Sequence, residues 1–187
     1  MAPPSNKPKL SQVDPQALAL ETARRFRDHL QSQLFHVSPL GVVRTIDIDD
    51  DDLVQSEIGL AVRTLAGFAR GDHGIDAPVQ EYWVSLVPLW SSALGMADHE
   101  DVGANASPNT ELGLVMAAAK AREEVLGGRP VNSTQLALLA SLSPRAVQKL
   151  VADGEIAAGD DGISASTARR WLAARGVPGF VKKGKRT

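Results

Sequence analysis

The feature that most constrains this chain is residues 131–176, where short helices are marked by strong start signals. Asn132 or Ser133 is suited to cap a first helix, because their side-chain oxygens accept hydrogen bonds from free backbone N–H groups. One tight turn later, Ser143 followed by Pro144 predicts the cap and first position of a second helix. The sequence therefore predicts two short helices in succession.

A turn and a third helix are predicted to follow. The Gly-bounded segment 159–162 favours a turn between two short strands, residues 155–158 and 163–164. Ser164 is suited to cap a helix in which Trp171 faces inward. This order of parts is typical of a small winged helix-turn-helix module. We call residues 131–176 the C-terminal module.

The second helix of this module has two chemically different faces. Its inward positions are apolar: Val147, Leu150 and Val151. Its outward positions carry two cations and an amide: Arg145, Gln148 and Lys149, followed by Ala152. Arg and Lys can donate to guanine, and Gln can pair with adenine, so this face suits a recognition helix in the major groove. The alternative interpretation is an ordinary solvated helix face.

The module resembles a known group of DNA-binding domains. The segments QLALLAS, LSPRAVQKLVADGEI and GISASTARRWLAARG are similar to those of excisionase/MerR-like winged helix-turn-helix domains. The resemblance implies sequence-directed DNA binding through Ser143, Arg145, Gln148 and Lys149, with the wing contacting the DNA backbone. It covers residues 131–176 and leaves the N-terminal region unassigned.

One departure from that family concerns the wing. The turn carries Asp160 and Asp161, where DNA-contacting wings usually carry Arg or Lys. Either this wing is too short to touch DNA, or it faces a protein.

Charge is distributed unevenly along the chain. Residues 129–187 hold ten Lys and Arg against four Asp and Glu, a net charge of +6, which leaves −8 for residues 1–128 because the whole chain is −2. A basic C-terminal third is suited to a polyanion. Six further cations complete the predicted DNA-binding set: Arg169, Arg170, Lys182, Lys183, Lys185 and Arg186. The last four lie in a tail expected to follow the phosphate backbone without reading bases.

The first 127 residues predict a helical bundle. Helical periodicity recurs in four stretches, at about 14–35, 52–70, 78–96 and 108–126. Trp83 and Trp90 in the third stretch are expected to lie in the bundle core or on an oligomer face. The expected fold is therefore mainly all-α, an N-terminal bundle of about four helices plus the small C-terminal module.

Changes in composition suggest the domain boundaries. Residues 1–13 are rich in Pro, Lys and Ser and predict a flexible arm. Residues 14–127 would form a dimerisation or partner domain, and residues 128–130 a linker. The C-terminal module comes next, and residues 177–187 are expected to be a flexible basic tail.

Several classes of function are disfavoured. The chain has no Cys, which excludes disulfides, thiolate zinc sites and Cys nucleophiles. The acidic run 47–52 suggests either a divalent-metal site or a capped helix start, but its spacing does not match an EF-hand loop. His73 and His99 have no evident third ligand. With no nucleotide or catalytic motif, we expect neither an enzyme nor a cofactor or metal.

The sequence thus predicts a sequence-specific DNA-binding protein, a transcriptional regulator of bacterial or phage type. We expect double-stranded DNA as the partner and a homodimer or higher homo-oligomer formed through the N-terminal bundle. A protein partner is compatible with this reading, and a membrane is not expected. The expected location is the cytoplasm, on the nucleoid. Two alternatives stay open: an architectural or segregation protein that coats DNA, and a protein-interaction adaptor.

Overall fold

The computed structural model describes residues 9–37, 45–74 and 110–181, most of which lie in helices. After a 3-10 helix, Leu10–Gln12, the α-helices are α1 Pro15–Val37, α2 Asp50–Gln55, α3 Glu57–Arg70, α4 Glu111–Leu126, α5 Ser133–Ala140, α6 Pro144–Ala152 and α7 Ala165–Ala174. Two isolated bridges occur in the described ranges, but no strand. The expected all-α fold is confirmed. The predicted helix at 78–96, with Trp83 and Trp90, lies outside the described residues.

The N-terminal core is formed where α3 packs against both α1 and α4. Its members are mostly Ala and branched aliphatic residues, with Phe68 and Met116 as the bulkiest. Small residues on α4, such as Ala118 and Ala119, let the helices approach closely. The predicted start of α1 is confirmed, because the Asp14 carboxylate accepts a hydrogen bond of 2.9 Å from the N–H of Gln16. No helix in the described ranges is long and apolar enough to cross a bilayer.

The helix predicted at 52–70 is instead two helices that meet at Ser56. The Ser56 hydroxyl donates to the carbonyl of Leu53 at 2.6 Å and accepts from the N–H of Gly59 at 3.2 Å, so one side chain ends α2 and begins α3. A Cβ on Gly59 would lie 2.6 Å from the Leu53 oxygen, and glycine therefore permits the tight corner. Asp49 caps α2 through the N–H of Asp52, in agreement with the interpretation of the acidic run as a helix start.

The end of the predicted flexible arm is packed into the core. Leu10 and Val13 are 7% and 2% exposed and belong to the N-terminal core. The prediction of a flexible arm over residues 1–13 is therefore wrong for its described end, because these apolar side chains gain more from burial than the polar composition around them suggested.

The fourth predicted helix, α4, joins the two halves of the chain. It begins at Glu111, and the Thr110 side chain caps it through the N–H of Gly113. The predicted start, near residue 108, lies outside the described residues. Its side chains enter both cores, Val115 the N-terminal one and Val125 the C-terminal one. The core of the C-terminal module thus includes part of α4, on the N-terminal side of the predicted linker at 128–130.

The predicted hairpin of the wing is not formed. Instead of pairing with residues 155–158, Ile163 exchanges two backbone hydrogen bonds of 2.9 Å with Val131. What is left of the wing is the turn from Gly159 to Gly162, closed by hydrogen bonds of 2.9 and 3.0 Å. Both Ile156 and Ile163 are buried in the C-terminal core, so these two apolar side chains pack inward although no ladder joins their segments.

Candidate nucleic-acid interface

The junction of α5 and α6 is held by side-chain caps and by packing. Asn132 and Gln135 form a reciprocal capping box that begins α5. At its end, Ser141 adopts a left-handed conformation with φ 54°, and the N–H of Leu142 returns to the carbonyl of Ala137 at 2.9 Å. Ser143 then caps α6 through the N–H of Ala146 at 3.1 Å, as predicted. These bonds fix where α6 begins relative to α5.

The two predicted faces of α6 are separated in the structure. Val147 is fully buried, and Leu150 and Val151 are half-buried against the C-terminal core. On the opposite side lie the exposed residues Arg145, Gln148, Lys149 and Ala152, which we call the α6 outer face. A helix face that contributes nothing to the core is available for a ligand.

The polar groups of the α6 outer face are unengaged within the described residues. The structure gives Arg145, Gln148 and Lys149 no hydrogen bond or ion pair to any residue in ranges 9–37, 45–74 and 110–181. These two cations and one amide stand at positions i, i+3 and i+4, so they share one surface of the helix, and that surface is exposed to solvent. Ser143, at the start of the same helix, is exposed, and its oxygen is occupied by the cap.

Arg169 and Arg170 are neighbours in sequence but have different roles. The guanidinium of Arg169 donates from Nε to the carbonyl of Val125 at 2.9 Å, and from Nη2 to the carbonyl of Leu126. It thereby adds a side-chain donor to carbonyls in the last turn of α4. Arg170 is exposed and makes no such contact with the described residues. Of these two predicted DNA-binding residues, Arg170 is the one whose guanidinium makes no hydrogen bond or ion pair with the described residues.

An ion-pair network ties the predicted linker to α4. Arg129 contacts Glu123 at 3.1 Å and also Glu124, while Lys120 lies 3.1 and 3.3 Å from the same two carboxylates. Burial raises the pKa of Glu124, but the hydrogen bonds from Arg129 and Lys120 outweigh it and lower the pKa below 4.5. Residues 128–130 are therefore held against α4.

The wing turn has no chemistry for a phosphate backbone. Asp160 and Asp161 are exposed, and the turn carries no cation. A shallow groove beside it is lined by backbone and small side chains, among them Ala157, Ser164 and Thr167. An anionic turn repels phosphate, so the wing contact that the resemblance implies gains no support from this geometry.

The predicted basic tail is packed at its beginning. Val177 and Phe180 lie half-buried against the C-terminal core, so the expectation of a flexible tail over 177–187 is wrong for residues 177–180. The physical reason is that Val177 and Phe180 are apolar and gain from burial. The prediction of a flexible tail rested on the cations that follow them. Lys182, Lys183, Lys185 and Arg186 lie outside the described residues.

Sequence reasoning missed the role of Arg122. This side chain is 2% exposed, and its Nε donates to the carbonyl of Ala69 at 3.2 Å. Burial lowers the pKa of Arg122 to about 10. The sequence did contain a signal for this role, because Arg122 is a cation next to the small residues Ala118, Ala119 and Ala121. Small residues on a helix indicate close packing against a neighbour, and a cation among them is buried with them.

Other candidate residues have structural surroundings. His73 packs its ring against Phe68, with centroids 6.4 Å apart. Trp171 is half-buried, and the guanidinium of Arg175 lies 4.9 Å from the centre of its ring. Within the described ranges no three His, Asp or Glu side chains are grouped as metal ligands.

Comparisons of this chain with protein-family models, with curated proteins and with solved structures found no match.

Proposed function

We propose that this protein binds double-stranded DNA in a sequence-specific way, with α5 and α6 as a helix-turn-helix and α6 in the major groove. The observation that carries the proposal is the α6 outer face, whose cations and amide are exposed while the opposite face of the same helix is buried. A helix of this length fits the width of the major groove.

Each polar residue of that face has a chemical role in the proposal. Arg145 would donate two hydrogen bonds to a guanine edge, and Lys149 would donate to guanine or to a phosphate. Gln148 would pair with an adenine edge in two directions. Ser143 and Arg170 would position the protein through phosphate contacts, as would the cations of the tail. Arg169 is left out of the contact set because it already donates to two carbonyls of α4.

We further propose a homodimer that regulates transcription on the nucleoid. One short helix reads few base pairs, and a two-fold dimer doubles the contacts over half-sites roughly 34–36 Å apart. The acidic N-terminal part, with −8 in residues 1–128, is repelled by DNA and is better suited to contact a second copy or a protein partner. The resemblance of residues 131–176 to excisionase/MerR-like domains supports the same assignment.

Binding of the purified chain to random-sequence duplexes tests whether DNA is the partner at all. At about 50 mM salt, where electrostatic association is strong, we expect the chain to bind. As the salt concentration is raised, the logarithm of the binding constant should fall linearly with the logarithm of the salt concentration. Absence of duplex binding under these conditions would overturn the proposal.

The acidic turn favours one alternative, a protein-interaction adaptor. Asp160 and Asp161 are exposed beside the groove that includes Ala157, and a basic peptide would be attracted to this site. In that case the chain would fail the duplex test. A DNA-coating protein would instead pass it with no preference among sequences.

A further inference from the structure

Arg122 lies at the meeting point of three chain segments. It projects from α4 to the C-terminal end of α3, where its Nε donates to the carbonyl of Ala69 at 3.2 Å. Charge of this sign is favoured at a helix C-terminus, and Asp72 lies near enough to stabilise it. The guanidinium is protonated at neutral pH, so a positive charge is held inside the fold at this point.

The segment after α7 reaches the same point and touches the end of α3 backbone to backbone. Gly71 and Gly179 have φ values of 86° and 80°, which few residues other than glycine adopt. A Cβ on Gly71 would lie 2.6 Å from the carbonyl carbon of Pro178. A Cβ on Gly179 would overlap Nη1 of Arg122 and lie 3.1 Å from Cα of Gly71. Both glycines are needed for this approach.

Phe180 completes the contact. The Cζ of Arg122 lies 4.6 Å from the centre of the Phe180 ring, within the range of a cation–π interaction. The segment is also tied to α7, because the N–H of Val177 donates to the carbonyl of Leu172 at 3.0 Å. We call Gly71, Arg122, Gly179 and Phe180 the clasp.

We propose that the clasp is a positioning device that fixes the orientation of the C-terminal module on the N-terminal helices. Apart from the clasp, the module is joined to the N-terminal helices through α4, on which α5 and α7 pack, and through Leu138 of α5, which packs against the N-terminal core. The clasp adds a further attachment, because it fastens the segment after α7 to the end of α3. Arg122 and Phe180 are in this sense positioning residues.

The consequence for DNA reading rests on the proposed function. If the N-terminal helices carry the dimer interface, the clasp sets the separation of the two copies of α6. A fixed separation selects one spacing between half-sites, because half-site spacing follows from the geometry of the dimer. Release of the clasp should therefore relax the choice of spacing while each α6 keeps its own base contacts.

A distance measurement tests the clasp without DNA. The chain has no Cys, so Ser32→Cys on α1 and Ala174→Cys on α7, both exposed, admit two spin labels at defined places. We expect one narrow distance distribution in the otherwise unaltered chain and in Phe180→Tyr, which keeps the ring. We expect loss of the narrow peak in Phe180→Leu, which keeps apolar bulk but not the ring face.

Circular dichroism separates release of the clasp from unfolding. If Phe180→Leu does not fold, Gly179→Ala serves in its place, because its Cβ displaces the segment and leaves Phe180 unchanged. A distribution in a folded variant as narrow as in the parent chain would overturn the clasp.

The DNA arm of the test compares duplexes with half-sites at different spacings. We expect the parent chain and Phe180→Tyr to prefer one spacing and folded Phe180→Leu to lose that preference, with unchanged affinity for a single half-site. A retained preference would contradict the link to DNA reading. A broadened distance distribution in a chain that binds no DNA would support the clasp and overturn the proposed function, so the two failures are distinguishable.

Discussion

The Nε of Arg169 lies 2.9 Å from the carbonyl oxygen of Val125, and this hydrogen bond joins α7 to the C-terminal end of α4. The same guanidinium also donates to Leu126. A cation at a helix C-terminus is favoured by the partial negative charge of the free carbonyls. The bond therefore fastens the last helix of the C-terminal module to the helix shared by both cores.

Substitution of Arg169 should affect stability, in contrast to its neighbour. We expect Arg169→Ala to lower the free energy of unfolding by about 1–3 kcal/mol, since a charge-assisted bond is lost and two carbonyls lose a donor. Arg170→Ala also removes one positive charge, but it should change the free energy of unfolding by no more than about 0.5 kcal/mol. Urea denaturation of both variants measures the difference, and equal effects would contradict the assignment.

Substitution of Arg145 should affect DNA binding and leave the fold intact. Because the side chain is exposed and makes no hydrogen bond or ion pair with any described residue, Arg145→Ala should unfold as the parent chain does. Loss of one bidentate base contact costs roughly 1–3 kcal/mol, so affinity for the preferred duplex should fall by about 5- to 150-fold. Arg25→Ala on α1 is the matched control, and an equal loss in that variant would show that net charge, not the α6 outer face, is responsible.

Removal of residues 182–187 should weaken binding to all sequences alike. This change deletes four cations, and each phosphate contact contributes about 0.9 to the slope of log affinity against log salt. We expect the slope to become shallower by up to roughly 4. Titrations at several salt concentrations, on preferred and random duplexes, measure it. A change confined to the preferred duplex would mean that the tail reads bases.

Acid should weaken the network at the end of α4. The pKa of Glu124 is lowered below 4.5 in the folded chain, so the unfolded chain binds more protons as the pH falls. The stability that Glu124 contributes is complete above that value and is lost as the pH falls through the folded pKa. We expect Glu124→Gln to lose stability less steeply than the parent chain as the pH falls below 4.5. Urea denaturation at each pH measures the free energy of unfolding of both chains. If the two free energies fall in parallel as the pH is lowered, Glu124 makes no such contribution.

Local signals predicted the helices well. Asn132 and Ser143 act as caps where the sequence placed them, because capping depends on a side chain and the two or three residues that follow it. The two faces of α6 also followed from spacing, since a helix of regular pitch fixes which side chains share a surface.

Contacts between distant residues were not predictable in this way. Sequence periodicity did not reveal that Ser56 divides a helix, that Ile163 pairs with Val131, or that Arg169 caps α4. Each depends on tertiary packing that brings the partner into reach. The clasp is the extreme case, because Gly71 and Gly179 are separated by more than half of the chain.

Selection of bound duplexes from a random pool, with the parent chain and the double variant Arg145→Ala/Lys149→Ala side by side, shows whether the α6 outer face reads sequence. We expect the parent chain to enrich a two-fold symmetric pair of half-sites. We expect the double variant, folded by circular dichroism, to enrich none. Enrichment of the same sequence by the double variant, or of no sequence by the parent chain, would contradict sequence reading by the α6 outer face.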